Sequence, residues 1–477
     1  MKREWSVKDL EHWDVKIREK VEEFGLSCCP QEFEVCDHNQ MLGYIAYSGM
    51  PAHYPHWSYG KSFEKLKTLY DYGVQGLPYE MVINANPSLA YLMHENSLCL
   101  QILTIAHVYG HNDFFKNNFT FRDTRPDLVL SSFKLRAERV RDYIEHPSIG
   151  SEKVEELLDA AHALSLQCRR HRAIRKLSPE EQKVRVAEAA QPPADPYQSI
   201  HKRPEVREPD LHKVPLEPEE DLLLFIRDYN PYLAEWQKDL LTIVHEQAQY
   251  FIPQIETKIM NEGWASYWHH KIMNSLDLPQ DLYLEFLVHH NQVIRPHPGS
   301  INPYYVGFKI WHDIVRRYDD EPTAGGTVNR GAGAGRGMEK IFEVREVDRD
   351  VSFLRRFLTE ELMREMDMFE YQRQGDETVI SHVSDDEHWR TVKDTLLRNV
   401  GMGAVPVIRI EDADYGGNRV LYMKHEHDGR DLGLEYAEKT LGYVHKLWGR
   451  EVMLETMVDG KRLALTYGPE GFGHKRL

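Results

Sequence analysis

The sequence contains few cysteines, and their number is odd. Five occur in 477 residues: Cys28, Cys29, Cys36, Cys99 and Cys168. An odd set in a chain of this length is not typical of a disulfide framework, and the spacing of the first three fits no standard zinc ribbon. The cysteine pattern therefore predicts a protein of a reducing compartment, the cytoplasm.

The sequence also lacks a long apolar run and an excess of basic charge. No stretch approaches the ~20 apolar residues of a membrane span. The charged beginning, residues 1–9, has no apolar core of the signal-peptide type. Acidic residues outnumber basic ones by 76 to 59, so the formal net charge is −17. We therefore expect no membrane span and no nucleic-acid partner.

Two familiar active-site patterns are missing. No Gly-x-Ser-x-Gly occurs, so the nucleophile elbow of serine hydrolases is not indicated. The glycine-rich stretch 323–337 has neither the Gly-Lys-Ser/Thr ending of a phosphate-binding loop nor a preceding strand. A flexible linker is the better interpretation of that stretch.

What is present predicts an α+β protein of several domains, because one compact core rarely extends over 477 residues. The N-terminal and central regions are mostly helical and include a small β-hairpin or sheet, for which a zincin-like layout is one arrangement. We predict the following ranges: 1–170, an α+β unit with a hairpin over 79–93; 171–220, a proline- and charge-rich linker or surface arm, with a disordered tether as the alternative; 221–322, a helical region that packs with 1–170; 323–337, the glycine-rich linker; and 338–477, a separate C-terminal α+β domain that begins with a strand over 340–346.

A first candidate site lies in the segment 98–115, LCLQILTIAHVYGHNDFF, whose opening is apolar on all sides and predicts a buried helix. His107 and His111 are four residues apart and share one helix face, which is the spacing that grips one metal ion in His-Glu-x-x-His helices. Val108 stands in the place of the glutamate, so this helix lacks a general base of its own. Asp113 is close enough to act as a ligand or as a partner of a ligand.

A second candidate site begins at His245 and Glu246, which directly follow an apolar run. A carboxylate in a buried helix is costly unless it is paired or bound to a metal. Gln249 stands where a His-Glu-x-x-His motif has its second histidine. This segment alone therefore cannot supply the usual set of three ligands.

The stretch 261–267, NEGWASY, resembles the gluzincin aminopeptidases, in which such a helix follows His-Glu-x-x-His and contributes a glutamate to zinc. The resemblance implies that Glu262 is a metal ligand. Tyr267 is the last residue of the same motif. The interval between His245 and Glu262 is shorter than in those enzymes. His269 lies seven residues after Glu262, on the same helix face, and is a reserve ligand.

Each segment has what the other lacks, so we hypothesise one composite site. A divalent ion, zinc by the type of its ligands, binds His107, His111 and either His245 or Glu262, and Glu246 activates a water molecule for attack on a carbonyl. The hairpin before the first helix would offer an edge strand to an extended peptide substrate. The alternative is that these histidines and glutamates are structural.

Longer strings identify the chain as a member of the stage V sporulation protein R (SpoVR) family. They are 107–118, 245–251, 257–269 and, in the C-terminal part, 342–353. The resemblance implies a cytoplasmic bacterial protein connected with the spore cortex, a peptidoglycan layer. Two functions stay open: a metal-dependent hydrolase of an amide bond in a peptide or peptidoglycan fragment, and a non-catalytic regulator or scaffold. Protein partners are expected to bind the C-terminal domain.

Overall fold

The protein is mostly helical with small sheets, which confirms the predicted α+β class. The structure, a computed structural model, describes residues 5–72, 80–170, 175–190, 209–297, 300–320, 335–368, 370–374, 377–382 and 388–477.

The helices of the described residues are α1 (Val7–Glu23), α2 (His38–Ala46), α3 (Trp57–Asp71), α4 (Leu98–Asn117), α5 (Val129–Glu145), α6 (Ser151–Leu164), α7 (Pro179–Ala189), α8 (Leu222–Tyr229), α9 (Glu235–Glu256), α10 (Lys258–Ser275), α11 (Gln280–Val293), α12 (Pro303–Asp320), α13 (Arg336–Val347), α14 (Asp350–Phe357), α15 (Glu360–Glu365), α16 (His388–Asn399) and α17 (Leu434–Trp448). The strands are β1 (Gln31–Cys36), β2 (Glu80–Ile83), β3 (Ser88–Met93), β4 (Glu370–Gln374), β5 (Glu377–His382), β6 (Ile408–Tyr415), β7 (Val420–His425), β8 (Val452–Val458), β9 (Lys461–Gly468) and β10 (Gly471–Arg476).

The chain divides into two compact units, each made of two separate stretches. Unit 1 contains Met1–Arg141 and Gln249–Ala404, and unit 2 contains Asp142–Ala248 and Val405–Leu477. Whether the ranges predicted above fold on their own stays a prediction.

Part of the predicted arm and most of the predicted glycine-rich linker fall on residues that are not described. Of the predicted arm, residues 171–174 and 191–208 lie outside the described residues, and of the glycine-rich linker, residues 323–334 do. Within the arm, α7 is a regular helix because Ser178 and Glu181 form a capping box at its start.

Unit 1 contains a three-stranded sheet of order β1-β3-β2. The predicted hairpin is present, since β2 and β3 pair antiparallel. Strand β1, which the sequence did not suggest, pairs parallel with the other side of β3. Strand β2 is therefore an edge strand among the described residues.

Two helices, α4 and α10, form the centre of unit 1. Every residue of α4 from Cys99 to Phe115 is buried, as its apolar sequence predicts. Helix α10 is buried on nearly all sides and packs against both α4 and α12. Within the described ranges, no helix has both the length and the apolar character that crossing a membrane requires.

The predicted strand over residues 340–346 is wrong, because this stretch belongs to helix α13. The apolar residues Ile341 and Val344 are three apart and lie on one buried face together with Arg345. That spacing fits a helix, whereas a strand would place Ile341 and Val344 on opposite faces. Packing inside unit 1 therefore decides for the helix.

Unit 2 contains a five-stranded sheet of order β10-β9-β8-β7-β6. Strands β7 and β8 run parallel, and the other neighbours are antiparallel. Helix α17 lies against β8 and β9, and α6 packs on α17. A hairpin turn at Asp459 and Gly460, both with positive φ, joins β8 to β9 as the Asp-Gly pair predicts.

Helices α10 and α12 of unit 1 touch through glycines. A Cβ added to Gly263 would lie 2.4 Å from backbone atoms of Gly307. Real Cβ atoms do not come so close to backbone, so the two helices must separate if either residue acquires a side chain.

We expect Gly263→Ala to lower the free energy of unfolding by about 1–3 kcal/mol, the usual cost of overpacking. The matched control is Gly43→Ala in α2, where an added Cβ meets nothing within 4 Å, and which should be neutral or stabilising by about 0.5–1 kcal/mol. Denaturant titrations of both variants measure the difference. Equal effects of the two substitutions would contradict the close contact.

Candidate metal centre

The candidate site of unit 1 lies where α4 and α10 come into backbone contact. A Cβ on Gly110 of α4 would lie 2.6 Å from Cα of Ala265 of α10, so only glycine permits this approach. The first turn of α10 is fixed by Asp350, whose carboxylate accepts hydrogen bonds from the backbone N–H groups of Ile259 and Met260, each at 2.9 Å. Side chains of α4 and α10 are thereby held within reach of each other.

The motif at 261–267 forms much of this contact. The side-chain oxygen of Asn261 lies 2.9 Å from Nδ1 of His111. The indole N–H of Trp264 donates to Asp113 at 2.9 Å. The small residues of the motif allow the close helix contacts, and its polar residues bind α4.

Four side chains of unit 1 converge on one point: Glu80 of β2, His107 and His111 of α4, and Glu262 of α10. Ligand atoms of the first three all lie within 4.8 Å of one another. The Oε2 atom of Glu262 is 3.5 Å from Nε2 of His111 and 3.9 Å from Nε2 of His107, and Oε1 of Glu80 is 3.7 Å from Nε2 of His107. Ligand atoms bound at 2.0–2.2 Å around one tetrahedral ion are about 3.3–3.6 Å apart, which these distances approach.

Both histidines present Nε2 to this point because their other ring nitrogens are engaged. The amide oxygen of Asn261 can only accept, so Nδ1 of His111 carries the proton and its Nε2 carries the lone pair. Nδ1 of His107 lies 2.8 Å from Nδ1 of His269. Nε2 of His107 is buried and has no hydrogen-bond partner among the described residues. A buried ring nitrogen without a hydrogen-bond partner, beside two carboxylates, is the arrangement expected of a metal ligand before the ion binds.

The two carboxyl groups differ in their electrostatics. Burial raises the pKa of Glu80, and the nearby Glu262 raises it further against the opposing effect of His107. Burial also opposes ionisation of Glu262, but His107 and His111 outweigh it and lower the pKa of Glu262. Burial and the neighbouring His107 lower the pKa of His111 to about 4, so its ring is neutral near pH 7. The site thus contains the neutral imidazole of His111, one carboxyl group whose pKa is lowered (Glu262) and one whose pKa is raised (Glu80).

A cleft of about 310 Å³ opens onto these groups. Its lining is mixed in character and consists of Glu80, Val82, His111, Phe115, Gln254, Lys258, Asn261, Glu262 and Tyr304. The ligand cluster is therefore accessible to a small substrate group.

Other predicted residues of unit 1 have supporting positions. Asp113 is fully buried and accepts two hydrogen bonds from Arg345 at 2.7 and 2.8 Å, one from Trp264 and one from the backbone of Ser27. It joins α4 to α13 and α10 through these partners. Tyr267 donates to the sulfur of Met338 at 3.5 Å and packs in the core.

His269, the reserve ligand, contacts His107 through Nδ1. It therefore lies behind a candidate ligand, on the side away from the two carboxylates.

The residues predicted at the second His-Glu segment lie in or next to unit 2. His245 belongs to unit 2, where its Nε2 is 2.8 Å from Asp221. Glu246 is exposed, so the expectation that its carboxylate is buried is wrong: in α9 it lies on the face opposite the buried apolar run. Gln249 is half-buried and is the first residue of the second stretch of unit 1. The cluster described above is built from unit 1 alone, and roles of His245, Glu246 and Gln249 at a metal stay predictions.

Sequence reasoning missed Glu80, Asn261 and His290. Glu80 is an acidic residue at the start of an otherwise apolar strand, which is a weak signal without knowledge of the strand's neighbours. Asn261 is the first residue of the 261–267 motif, from which only Glu262 and Tyr267 were predicted to belong to the site. His290 is buried within α11, where Nδ1 lies 2.8 Å from Nε2 of His269, and no metal-ligand spacing in the sequence singles it out.

Comparisons with known proteins cover almost the whole chain. Residues 4–405 match the family described as "SpoVR like protein", and residues 406–459 match "SpoVR-like C-terminal domain". The junction coincides within a residue with the change of unit after Ala404. "Uncharacterized protein YcgB" of Escherichia coli (strain K12) is 34% identical over 476 residues, which is 95% of this chain and 92% of that protein. No solved structure matches the chain.

Buried histidines make the free energy of unfolding of the metal-free protein depend on pH. Burial lowers the pKa of His53 and His111 to about 4 and of His290 to about 3. In the unfolded chain these histidines bind protons below about pH 6.5, whereas in the folded chain they stay neutral to a lower pH. The free energy of unfolding is therefore highest above pH 6.5 and decreases as the pH falls toward 4. His53 and His111 each contribute a loss of about 3 kcal/mol at most, and His290, whose pKa is lower, contributes a loss of up to about 5 kcal/mol.

Urea denaturation in a chelator at pH 7 and at pH 4.5 measures this loss. We expect His53→Phe, which leaves the candidate ligands in place, to show a smaller difference between the two pH values than the unmodified protein. An unchanged difference would mean that His53 is not a buried neutral imidazole.

Proposed function

The chain belongs to the SpoVR family, and from that membership together with the site geometry we propose that it is a metal-dependent hydrolase of an amide bond. The observation that carries the proposal is the convergence of two imidazole Nε2 atoms and two carboxylates at distances of 3.5–3.9 Å beside an open cleft. His107, His111 and Glu262 supply the two histidines and one glutamate found in many catalytic zinc sites. A divalent ion, zinc by ligand type, would polarise a carbonyl and lower the pKa of a water molecule there.

Within this proposal the residues have distinct roles. Glu80 is the general base, because its raised pKa and its place beside His107 suit a group that takes a proton from water and later gives it to the leaving nitrogen. Asn261 orients His111, and His269 orients His107. Glu80, rather than the exposed Glu246, is the residue that we assign to proton transfer.

The substrate class follows from the strand that carries Glu80. Strand β2 is an edge strand in the described part of unit 1, and Val82 of β2 lines the cleft. An extended peptide that pairs with such an edge places a backbone amide next to the strand's own side chains. We therefore propose a peptide or the peptide part of a peptidoglycan fragment, which agrees with the role in the spore cortex that the family resemblance implies.

The location and partners in the cell are part of the proposal. All five cysteines are free, which supports the cytoplasm as the place of action. Protein partners are proposed to bind the C-terminal region, residues 406–459, which matches a family description of its own.

One observation favours a second candidate function. The site offers four protein ligands, and four ligands close a tetrahedral zinc site in the manner of structural zinc. In that case the ion would stabilise unit 1, and the protein would act as a regulator or scaffold. The two functions differ in what Glu80 does.

Substitution of the acidic residues separates these two functions. Glu80→Gln should retain the metal and abolish hydrolysis if Glu80 is the base, whereas a closed four-ligand site predicts that it loses the metal. Two further variants should lose the metal under both candidate functions: Glu262→Gln, and the double variant His107→Ala with His111→Ala. The matched control is His12→Ala with His38→Ala, which removes two histidines elsewhere in unit 1.

Metal content is measured by mass spectrometry of the purified proteins. Hydrolysis is measured by liquid chromatography of soluble peptidoglycan fragments, which a muramidase releases from cell-wall sacculi, and of a mixed peptide library. Metal content that the His107 and His111 double variant leaves unchanged would rule out the centre. A fully loaded protein that cleaves neither probe would rule out the hydrolase.

A further inference from the structure

Three buried histidines from three helices form a hydrogen-bonded chain behind the candidate metal centre. Nδ1 of His107 on α4 lies 2.8 Å from Nδ1 of His269 on α10, and Nε2 of His269 lies 2.8 Å from Nδ1 of His290 on α11. The exposed fractions are 3%, 0% and 4%, so water has little access to these contacts. The chain begins at a candidate ligand and leads away from the cleft.

A histidine binds a metal only as a neutral imidazole, so the neutral form of the chain is the one relevant to metal binding. A neutral imidazole has one N–H donor and one nitrogen acceptor. Consequently each contact has one donor and one acceptor, and the proton position in one ring determines the position in the next.

Only two arrangements of protons satisfy both contacts. In the first, Nδ1 of His107 donates to His269, Nε2 of His269 donates to His290, and Nε2 of His107 has a lone pair for a metal. In the second, all donors are reversed, and the proton on Nε2 of His107 points into the site and blocks coordination. The two arrangements differ at the far end by whether Nδ1 of His290 accepts or donates.

We infer that His290 is a positioning residue of the metal centre: by accepting at Nδ1 it fixes the tautomers of His269 and His107 and so leaves Nε2 of His107 free for the ion. This inference rests on the metal-binding part of the proposed function. A metal-ligating histidine usually donates its second N–H to a carboxylate, a carbonyl or water. Here two further imidazoles take that place, so a residue that contacts no ligand controls metal affinity.

The substitution His290→Leu removes the acceptor and keeps an apolar side chain in the core. Nε2 of His269 then has no partner in either tautomer. Because a buried N–H donor without a partner is less tolerated than a buried acceptor without one, the proton of His269 moves to Nδ1, which favours the blocking arrangement on His107. Loss of such a supporting partner costs about 10–100-fold in metal affinity. His290→Asn places an amide oxygen where Nδ1 accepts and should restore the affinity to within a few fold of the unmodified protein.

The matched control is His312→Leu. His312 lies on α12, is exposed, and contacts the same group of rings through Phe308 and His270. Among the described residues, no hydrogen bond joins His312 to the chain of three histidines. The metal affinity of the His312→Leu protein should therefore equal that of the unmodified protein. The affinity of each protein for Zn²⁺ and Co²⁺ is measured by competition with a chromophoric chelator, and the cobalt absorption spectrum reports the ligand set.

The outcomes separate this inference from the proposed function. If the unmodified protein binds neither ion, the metal centre itself is refuted. If it binds, and His290→Leu binds within twofold of it, the control role of His290 is refuted while the centre stands. A drop that His290→Asn fails to reverse also contradicts the tautomer mechanism, because then the loss is one of packing.

A measurement on the unmodified protein covers the case in which His290→Leu does not fold. With ¹⁵N-labelled histidine, nuclear magnetic resonance distinguishes protonated from unprotonated ring nitrogens. In the Zn²⁺-loaded protein we expect the proton of His269 on Nε2 and that of His107 on Nδ1. A proton on Nδ1 of His269 would overturn the inference.

Discussion

The backbone contact between Gly110 of α4 and Ala265 of α10 is the constraint on which the site depends. At this contact an added Cβ would come within 2.6 Å of the facing helix, so no larger residue than glycine fits. His107 and His111 lie on either side of Gly110 in the sequence. Only if the helices approach this closely can both histidines lie near Glu262, and can His107 reach His269. A wider spacing, as between helices with larger residues at the crossing, would separate the imidazoles from the carboxylate.

A network of buried polar side chains stabilises the close contact between α4 and α10. Asp113 would be a costly isolated charge in the core, but Arg345, Trp264 and Ser27 satisfy it. Asp350 satisfies the first backbone donors of α10 in the same interior. Burial at the same time lowers the pKa of His111 and raises the pKa of Glu80, so the packing that assembles these groups also affects their protonation.

The local features of unit 1 were predictable from the sequence, and the features that depend on contacts between distant residues were not. The buried helix α4, the hairpin of β2 and β3 and the shared face of His107 and His111 all follow from periodicity and turn chemistry. Glu80 joins the site through its strand's position in the sheet, and that position depends on pairing with β3 and on packing against α4, which no local pattern encodes. The apolar run before Glu246 suggested burial, but α9 is amphipathic at that point and turns the carboxylate outward. The residues of α13 fit both a strand and a helix by composition, and packing decided between them.

The central claim is that His107, His111 and Glu262 bind one divalent ion, with Glu80 beside it. Anomalous X-ray diffraction from crystals grown with Zn²⁺ and recorded on both sides of the zinc absorption edge tests it most directly. The account predicts an anomalous peak about 2.0–2.2 Å from Nε2 of both His107 and His111 and within bonding distance of Glu262. A well-ordered site with no anomalous peak between these side chains, or zinc bound only elsewhere on the protein, would contradict it.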